Sequence, residues 1–442
     1  MKKWGQSIFI LFCLLVAQNT LFSQEKMTLT LDDCLMLALS QNPYYQVAKE
    51  KEVEATALVR EAASRFFPTL NAMGINTLDE KLFVLEFPSL FPGEQAQKIS
   101  IDFTKNYQLS LNFSLPLFTG GRLISGFKQS NYNLQSTKEG IRQSRHQLVF
   151  NVKKAFYGYL LAKDFFAVAE ETMKLAEKQL INIKNLYEAG MAAKFELLRF
   201  EVQVANIKTL LIQAKNGLEV TELGLKTILG LELQRQIEVK GELTYTPMEA
   251  DVNEFIAEAL QLRPELNQLK YQGQMASEML KIARASKMPT LALGGAFNYW
   301  GDKLSFAKGN WQNYYAINLV LTVPIFNGFA ASAQVGQAKA VIKELEFTQK
   351  GMSDLVKLEV QQAVLNHKQA EESLRSQEKN VEVAKESVRL AELNFQEGLA
   401  TSLDVSTSLL ALSQAKTNYS QVLYDCAISV AQLEKARGGL EK

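Results

Sequence analysis

The chain has 442 residues, a formal net charge of +1 and 47% hydrophobic residues. That length suits two or three ordinary domains, and the near-neutral balance leaves no electrostatic footprint for nucleic acid or an anionic surface. Two histidines and three cysteines offer little for a metal centre or a disulfide framework.

Lys2 and Lys3 precede an apolar run over residues 8–17, and small or polar residues follow to Ser23 and Gln24. This is the layout of a secretory signal peptide over residues 1–23, since so short a run does not span a bilayer as a helix. Loss of Lys2 and Lys3 from the 48 Lys+Arg leaves 46 basic against 47 acidic residues, still near neutrality. The mature chain keeps Cys34 and Cys426, read as buried thiols.

Residues 29–42 form a capped helix, with Thr30 or Asp32 ahead of an apolar stripe and Asn42-Pro43 as its stop. Helix resumes to Arg65, and Phe66-Phe67-Pro68 ends it. A strand over 69–77 leads to a long apolar loop, 78–106, expected to fold on itself. Then Tyr107, Leu109, Leu111, Phe113, Leu115 and Leu117 alternate with Gln108, Ser110, Asn112 and Ser114, a period of two that marks a strand with one apolar and one wet face.

No proline falls between 117 and 246 or after 324, so uninterrupted helix is possible in both gaps. A helix over about 123–187 would be on the order of 90 Å long. Its narrow stripe of Val149, Val152, Phe156, Tyr159 and Leu160 is that of a helix packed along another. Ala189-Gly190 turns the chain into a second helix over 195–229. Residues 230–252 change character and read as a connector with a small strand.

The plan then repeats. Ala38 and Ala259, Pro43 and Pro264, and Pro68 and Pro289 are each 221 positions apart; Tyr107 and Tyr315, Pro116 and Pro324, and Phe118 and Phe326 are 208 apart. The offset shrinks because the second loop is shorter. The second copy ends in helices over about 331–395 and 402–436, with Gly398 in the place of Gly190. The organisation is thus a signal peptide (1–23), a first repeat (24–230), a connector or equatorial region (231–252) and a second repeat (253–442).

Two strands per copy make four per chain, too few to close a barrel, and open sheet edges are not tolerated in lipid. The strands must therefore be shared, eight in a dimer or twelve in a trimer. Leu109, Leu111, Phe113, Leu115, Ile317, Leu319, Leu321 and Val323 are the expected lipid-facing set. Ser110, Asn112, Ser114, Asn318 and Thr322 would face a watery lumen. No phosphate loop, nucleophile elbow or ligand-spaced His/Cys set occurs. His146 and His367 are expected at solvated or helix-packed positions. The chain is read as a non-enzyme with no catalytic residues, cofactor or metal.

The doubled strand–long helix–glycine turn–helix plan resembles the TolC-like outer-membrane efflux proteins, also called outer membrane factors. The matching pieces are ALSQNP, FFPTL and KMPTL before the first strands, SLPLFTGGR and TVPIFNGFA after the second, and the turns LYEAGMAAKFELL and NFQEGLATSLDV. The resemblance implies a mainly α, α+β membrane protein. In it a homotrimer builds a twelve-stranded β-barrel continued by a long helical barrel of coiled-coil helices. It implies a channel in the cell outer membrane reaching into the periplasm, whose partners are a periplasmic membrane-fusion adaptor and, indirectly, an inner-membrane pump of RND or ABC type.

The family's tip motif falls on Asp404 and Thr407, with Glu196 and Arg199 in the first copy, as pore-gate candidates. Asp404 is equally placed to start a helix, and both roles stay open. Gly190, Met191, Gly398 and Leu399 are the adaptor-contact candidates. The leading expectation is a passive exit duct of a tripartite efflux pump for small molecules. The outer channel of a type I protein secretion system is an alternative, and a non-pore periplasmic coiled-coil scaffold is the alternative of another class.

Overall fold

The computed structural model describes residues 27–78, 83–87, 97–101, 107–245, 247–248, 251–301 and 311–439. The expected signal peptide, 1–23, lies outside the described residues.

The duplication is visible element by element. Helices α1 (Leu31–Gln41) and α5 (Val252–Leu262) have 11 residues each, and α2 (Pro43–Ser64) and α6 (Pro264–Ala285) have 22. Helices α3 (Arg122–Glu188) and α7 (Ala330–Gln396) have 67 residues, and α4 (Lys194–Leu229) and α8 (Ser402–Arg437) have 36. Local chemistry sets these bounds. Thr30 and Asp33 form a capping box ahead of α1, and Asp251 caps α5. Pro43 and Pro264 open α2 and α6, where a missing N–H costs nothing. Gly230 and Gly438, both left-handed, close α4 and α8.

The chain divides into two compact units that cut across the repeats. The first comprises residues 1–50, 139–267 and 350–442; the second comprises 51–138 and 268–349.

The first unit holds two equivalent cores. One gathers Cys34, Ala38, Leu148, Val152, Phe156 and Leu225; the other gathers Phe255, Ala259, Val356, Val360, Val364 and Leu433, the same positions one repeat on. Where the first core sets a small Cys34 with a large Phe156, the second sets a large Phe255 with a small Val364. Exchanging bulk between the two sites keeps the core volume nearly constant, which packing tolerates best. The stripe read from sequence is there: Val149, Val152, Phe156 and Leu160 are buried. Strand β1 (Met27–Leu29), too short to be read from sequence, pairs in parallel with β6 (Ile237–Val239), the expected small strand of the connector. Cys34 and Cys426 are buried and unpaired; burial pushes their thiols up to about 12 and about 11.

The second unit holds the sheet. Strands β2 (Thr69–Asn76), β5 (Tyr107–Phe118), β7 (Thr290–Gly301) and β8 (Trp311–Thr322) follow one another antiparallel in the order β2-β5-β7-β8. The expected loop 78–106 is not wholly irregular. It contains an antiparallel pair, β3 (Phe83–Phe87) and β4 (Gln97–Ile101), whose alternation was hidden by a greasy setting.

Register joins the two predicted apolar sets. Leu111 faces Phe297, which faces Tyr315; Phe113 faces Gly295, which faces Ile317; Leu115 faces Leu293, which faces Leu319. Paired residues share a face, so these side chains line one side of the sheet. Ser110 pairs with Asn298 and Asn112 with Ala296 on the other side. On the apolar side Ile317 is 73% and Leu319 64% exposed; on the other side Ser110 is 6% exposed while Ser114 and Asn318 are open. Val323 lies just past the end of β8.

The β5-to-α3 corner needs two left-handed glycines, Gly120 (φ +62°) and Gly121 (φ +86°). A Cβ on Gly120 would stand 2.5 Å from Met288 Cβ, whereas one on Gly121 would meet no atom within 4 Å. Gly121→Ala is expected to cost about 1 kcal/mol from the backbone alone. Gly120→Ala adds overpacking of about 1–3 kcal/mol. Thermal unfolding of the purified variants should rank them in that order, and equal midpoints would show that the corner relaxes freely.

Candidate functional site

Two regions of the described chain have features a function can use: the exposed apolar sheet face, and the turns between the long helices. The turns belong to the first unit.

Each turn ends its helix in the same way. Gly190 and Gly398 share φ +72°. Gly190 N–H donates to the Tyr187 carbonyl at 2.9 Å and Met191 N–H to Leu186 at 2.8 Å. In the second copy Gly398 N–H donates to Phe395 at 3.1 Å and Leu399 N–H to Asn394 at 2.8 Å. This is the Schellman arrangement, in which a left-handed glycine lets two N–H groups reach back to carbonyls the helix leaves unpaired. It thrusts the next residue outward: Met191 is 77% and Leu399 80% exposed.

The two turns differ in how the next helix starts. Ahead of α8, the Thr401 N–H and hydroxyl donate to Asp404 Oδ2 at 2.8 and 2.7 Å, and Asp404 N–H returns to Thr401 Oγ1 at 3.4 Å. That is a complete capping box. The Thr401 N–H first, then its hydroxyl, and more weakly the Arg199 charge hold the Asp404 carboxyl below the usual carboxylate range. The contribution is therefore present above that range and is lost as pH falls through the lowered value. Ahead of α4, Ala193 stands in the place of Thr401 and makes no side-chain cap. Glu196, the counterpart of Asp404, is thereby released, and its Oε2 accepts a short hydrogen bond from the hydroxyl of buried Ser402.

Asp404 is thus a helix-starting acid by geometry, with Arg199 near enough to bias its charge. Thr407 and Arg199 are exposed. The Glu196–Ser402 bond joins residues 206 apart and left no local signal; the spacing Thr401-x-x-Asp404 is the capping signature that would have completed the reading of Asp404. Between the turns lies a cleft of about 830 Å³, lined in part by Lys178, Asn182, Met191, Glu196, Glu392 and Ser402.

Behind the turns, α7 presents Val381, Ala384, Val388, Ala391 and Phe395 at alternating spacings of three and four. They pack with Val405, Leu409 and Leu412 of α8 in one cluster, the seam of a coiled coil.

Neither histidine is solvated: His146 is 4% and His367 1% exposed. His367 Nδ1 lies 2.9 Å from Ser429 Oγ and its Nε2 3.2 Å from the Met248 carbonyl. Tyr245 Oη, 3.4 Å from the same Nε2, donates to Glu371 at 2.5 Å. The contacts with Met248 and Tyr245 fasten the connector to α7, and the one with Ser429 ties α7 to α8. Among the described residues no group of three or more His, Cys, Asp or Glu side chains converges as a metal set would. Among them, too, no helix is long and apolar enough to cross a membrane.

The asymmetry of the two starts is directly testable. Thr401→Ala should remove about 1 kcal/mol from the start of α8. Amide exchange over residues 402–406 should quicken several-fold while residues 194–198 stay unchanged. Equal behaviour of both starts would mean that the box does not hold the helix end.

Comparison with known proteins places these features in one family. The model of the outer membrane efflux protein family matches residues 34–231 and again 255–439, one match per copy. The chain is 24% identical over 343 residues to the outer membrane protein TolC of Vibrio cholerae, covering 75% of this chain and 76% of that protein. It is 22% identical over 395 residues to the pyoverdine export outer membrane protein OpmQ of Pseudomonas putida, covering 89% and 82%. Its fold superposes on the Campylobacter jejuni CmeC outer membrane channel with a TM-score of 0.78 at 16% identity, over 92% of this chain and 85% of that one. With both copies matched, and with the TolC-like resemblance of the paired motifs upheld, the chain belongs to the outer membrane efflux protein family and is an efflux channel protein of the outer membrane.

Proposed function

We propose that three copies of the chain close one twelve-stranded barrel in the outer membrane, continued into the periplasm by a barrel of their long helices. In this reading the assembly is a passive exit duct for small molecules. The carrying observation is the sheet itself: among the described residues it has four strands, two outer edges that no described strand pairs, and exposed apolar side chains. In lipid each unpaired backbone group costs several kcal/mol, so such edges persist only if other copies cover them. Leu109, Leu111, Phe113, Leu115, Ile317, Leu319, Leu321 and Val323 then face lipid, and the Ser110–Asn298 side faces water.

Gly190, Met191, Gly398 and Leu399 are the proposed seat of a periplasmic adaptor, because they offer turn backbone and protruding apolar side chains at the helix ends. An inner-membrane pump behind the adaptor supplies the energy. Glu196, Arg199, Asp404 and Thr407 are the proposed gate residues. The similarity to a pyoverdine export protein supports a small-molecule cargo over a secreted protein. The non-pore scaffold gives way to the family assignment.

In planar lipid bilayers the purified chain should give discrete conductance steps; silence at any protein load would remove the duct. Leu319→Lys should abolish insertion, since a cation on a lipid face costs about 2–4 kcal/mol. Asn318→Lys on the opposite face should insert normally. Equal behaviour of the two would reverse or remove the face assignment.

Glu196→Ala should lengthen or enlarge the open state in the same recordings, because it frees Ser402. Unaltered single-channel records from both this variant and Asp404→Ala would take the gate away from these residues.

A further inference from the structure

We propose that the helix-side ends of the four strands carry a basic belt that binds the anionic headgroups of phospholipids in the periplasmic leaflet, with Arg122, Arg284 and Lys287 as its principal cations. The belt rests on the reading of the sheet as a membrane wall and adds the lipid chemistry that one end of that wall selects.

The strand register gathers these ends. Phe118 pairs with Leu291 and Leu291 with Leu321, so the ends of β5, β7 and β8 lie side by side. Thr69, the first residue of β2, pairs with Ser114, a little further along β5. The ten residues on the helix side of each end are 59–68, 119–128, 280–289 and 323–332, all within the second unit. Together they hold seven basic residues and one acidic residue, Glu61. The net charge of +6 exceeds the +1 of the whole chain and leaves −5 for the rest. Near-neutrality overall therefore conceals a strongly basic zone. At the other end of the strands the connecting segments 77–106 and 302–310 hold five basic and six acidic residues, so the excess belongs to the helix side alone.

Little within the chain compensates these cations. Arg65 pairs with Glu61 at 2.9 Å and Lys281 with Glu278 at 2.7 Å. Among the described residues Arg60, Arg122, Lys128, Arg284 and Lys287 have no carboxylate partner, and all five are exposed. Lys287 Nζ donates to Ser332 Oγ at 2.9 Å, a contact that leaves its charge unopposed. Clustered like charges repel one another, and an opposing anionic surface relieves that cost.

The surroundings fit a membrane boundary. Phe67, Phe118, Phe326 and Phe329 stand exposed at the same ends, as an aromatic girdle does where the apolar band of a barrel stops. Long basic side chains beside such a band lay their stems on apolar surface and keep their heads at the headgroups. Arg122 opens α3, Arg284 lies in the last turn of α6, and Lys287 stands between α6 and β7. They flank β5 and β7, the inner strands of the order β2-β5-β7-β8, away from the two edges where another copy would cover them. A Lys or Arg near an anionic leaflet strengthens association about fivefold.

Spin-labelled lipids read the selection directly. The full chain is reconstituted in phosphatidylcholine vesicles, and the immobilised fraction of spin-labelled phosphatidylglycerol is compared with that of spin-labelled phosphatidylcholine. The association ratio should be about two to five in dilute salt, because only one leaflet meets the belt. It should fall to about one in about 1 M salt, where charges are screened within about 3 Å. Arg122→Gln with Arg284→Gln and Lys287→Gln should bring the ratio to about one in dilute salt as well. The charge-keeping variant, Arg122→Lys with Arg284→Lys and Lys287→Arg, should retain the original ratio, and so should Lys303→Gln with Lys308→Gln at the far end.

A ratio of one for the unaltered chain, or one that the triple Gln variant leaves unchanged, overturns the belt while the immobilised lipid leaves the membrane wall standing. Loss of selection in the charge-keeping variant overturns charge as its cause. If the triple Gln variant instead shifts the reversal potential of the conducting channel under a salt gradient with its lipid ratio intact, the cations line the pore and the belt is overturned. No immobilised component from either lipid overturns the membrane wall and the belt together. Should the triple variant fail to insert, the three single Gln variants should each lower the ratio, and three unchanged ratios overturn the belt.

Discussion

The structure depends on one constraint, the backbone hydrogen bonds at the edges of a four-stranded sheet. An amide at an open edge in water is solvated; in hydrocarbon it has no partner and costs several kcal/mol. Among the described residues the chain carries four strands of that sheet, with apolar side chains such as Ile317 and Leu319 exposed. The rest follows from keeping those edges paired. The strands are rooted through tight corners in helices of 67 residues, and those helices are packed by narrow seams and ended by two turns of the same geometry.

Duplication makes this economical, since one element order written twice supplies both halves. The copies have nevertheless diverged wherever a local task differs. One helix start is boxed by Thr401 and Asp404; the other has Ala193 and spends its acid, Glu196, on a bond to the opposite copy. One corner is closed by Met288 within the chain, and the matching corner is open. Turns and corners have thus diverged along with the cores, while helix lengths stay identical.

Much of the fold was legible in the sequence for physical reasons. The absence of proline from two long stretches permitted the long helices, and alternation marked β5 and β8. Glycine at 190 and 398 marked turns because only a residue without Cβ readily takes φ near +72°. The short β1 was not legible, because three residues carry no period and its partner β6 lies some two hundred positions away. The β3–β4 pair was obscured by the apolar character of its surroundings. Among the site residues the capping role of Asp404 was half seen, since the acid was noted and Thr401 was not. The Glu196–Ser402 bond and the burial of His367 between Ser429 and Met248 arise from tertiary contacts without sequence periodicity.

The two cores in the first unit carry a historical consequence. Cys34 is matched to Phe156, and Phe255 to Val364. Each pair is balanced, but the pairs are not interchangeable member by member. Copying Phe255 into position 34 would crowd a full phenylalanine against Phe156, and copying Val364 into position 156 would open a void beside Cys34. Gene conversion between the halves would pass through one of those defective intermediates unless it carried both positions at once. The balance of volume across each core thus ties its two positions together, and a change at one is best tolerated with a change at the other.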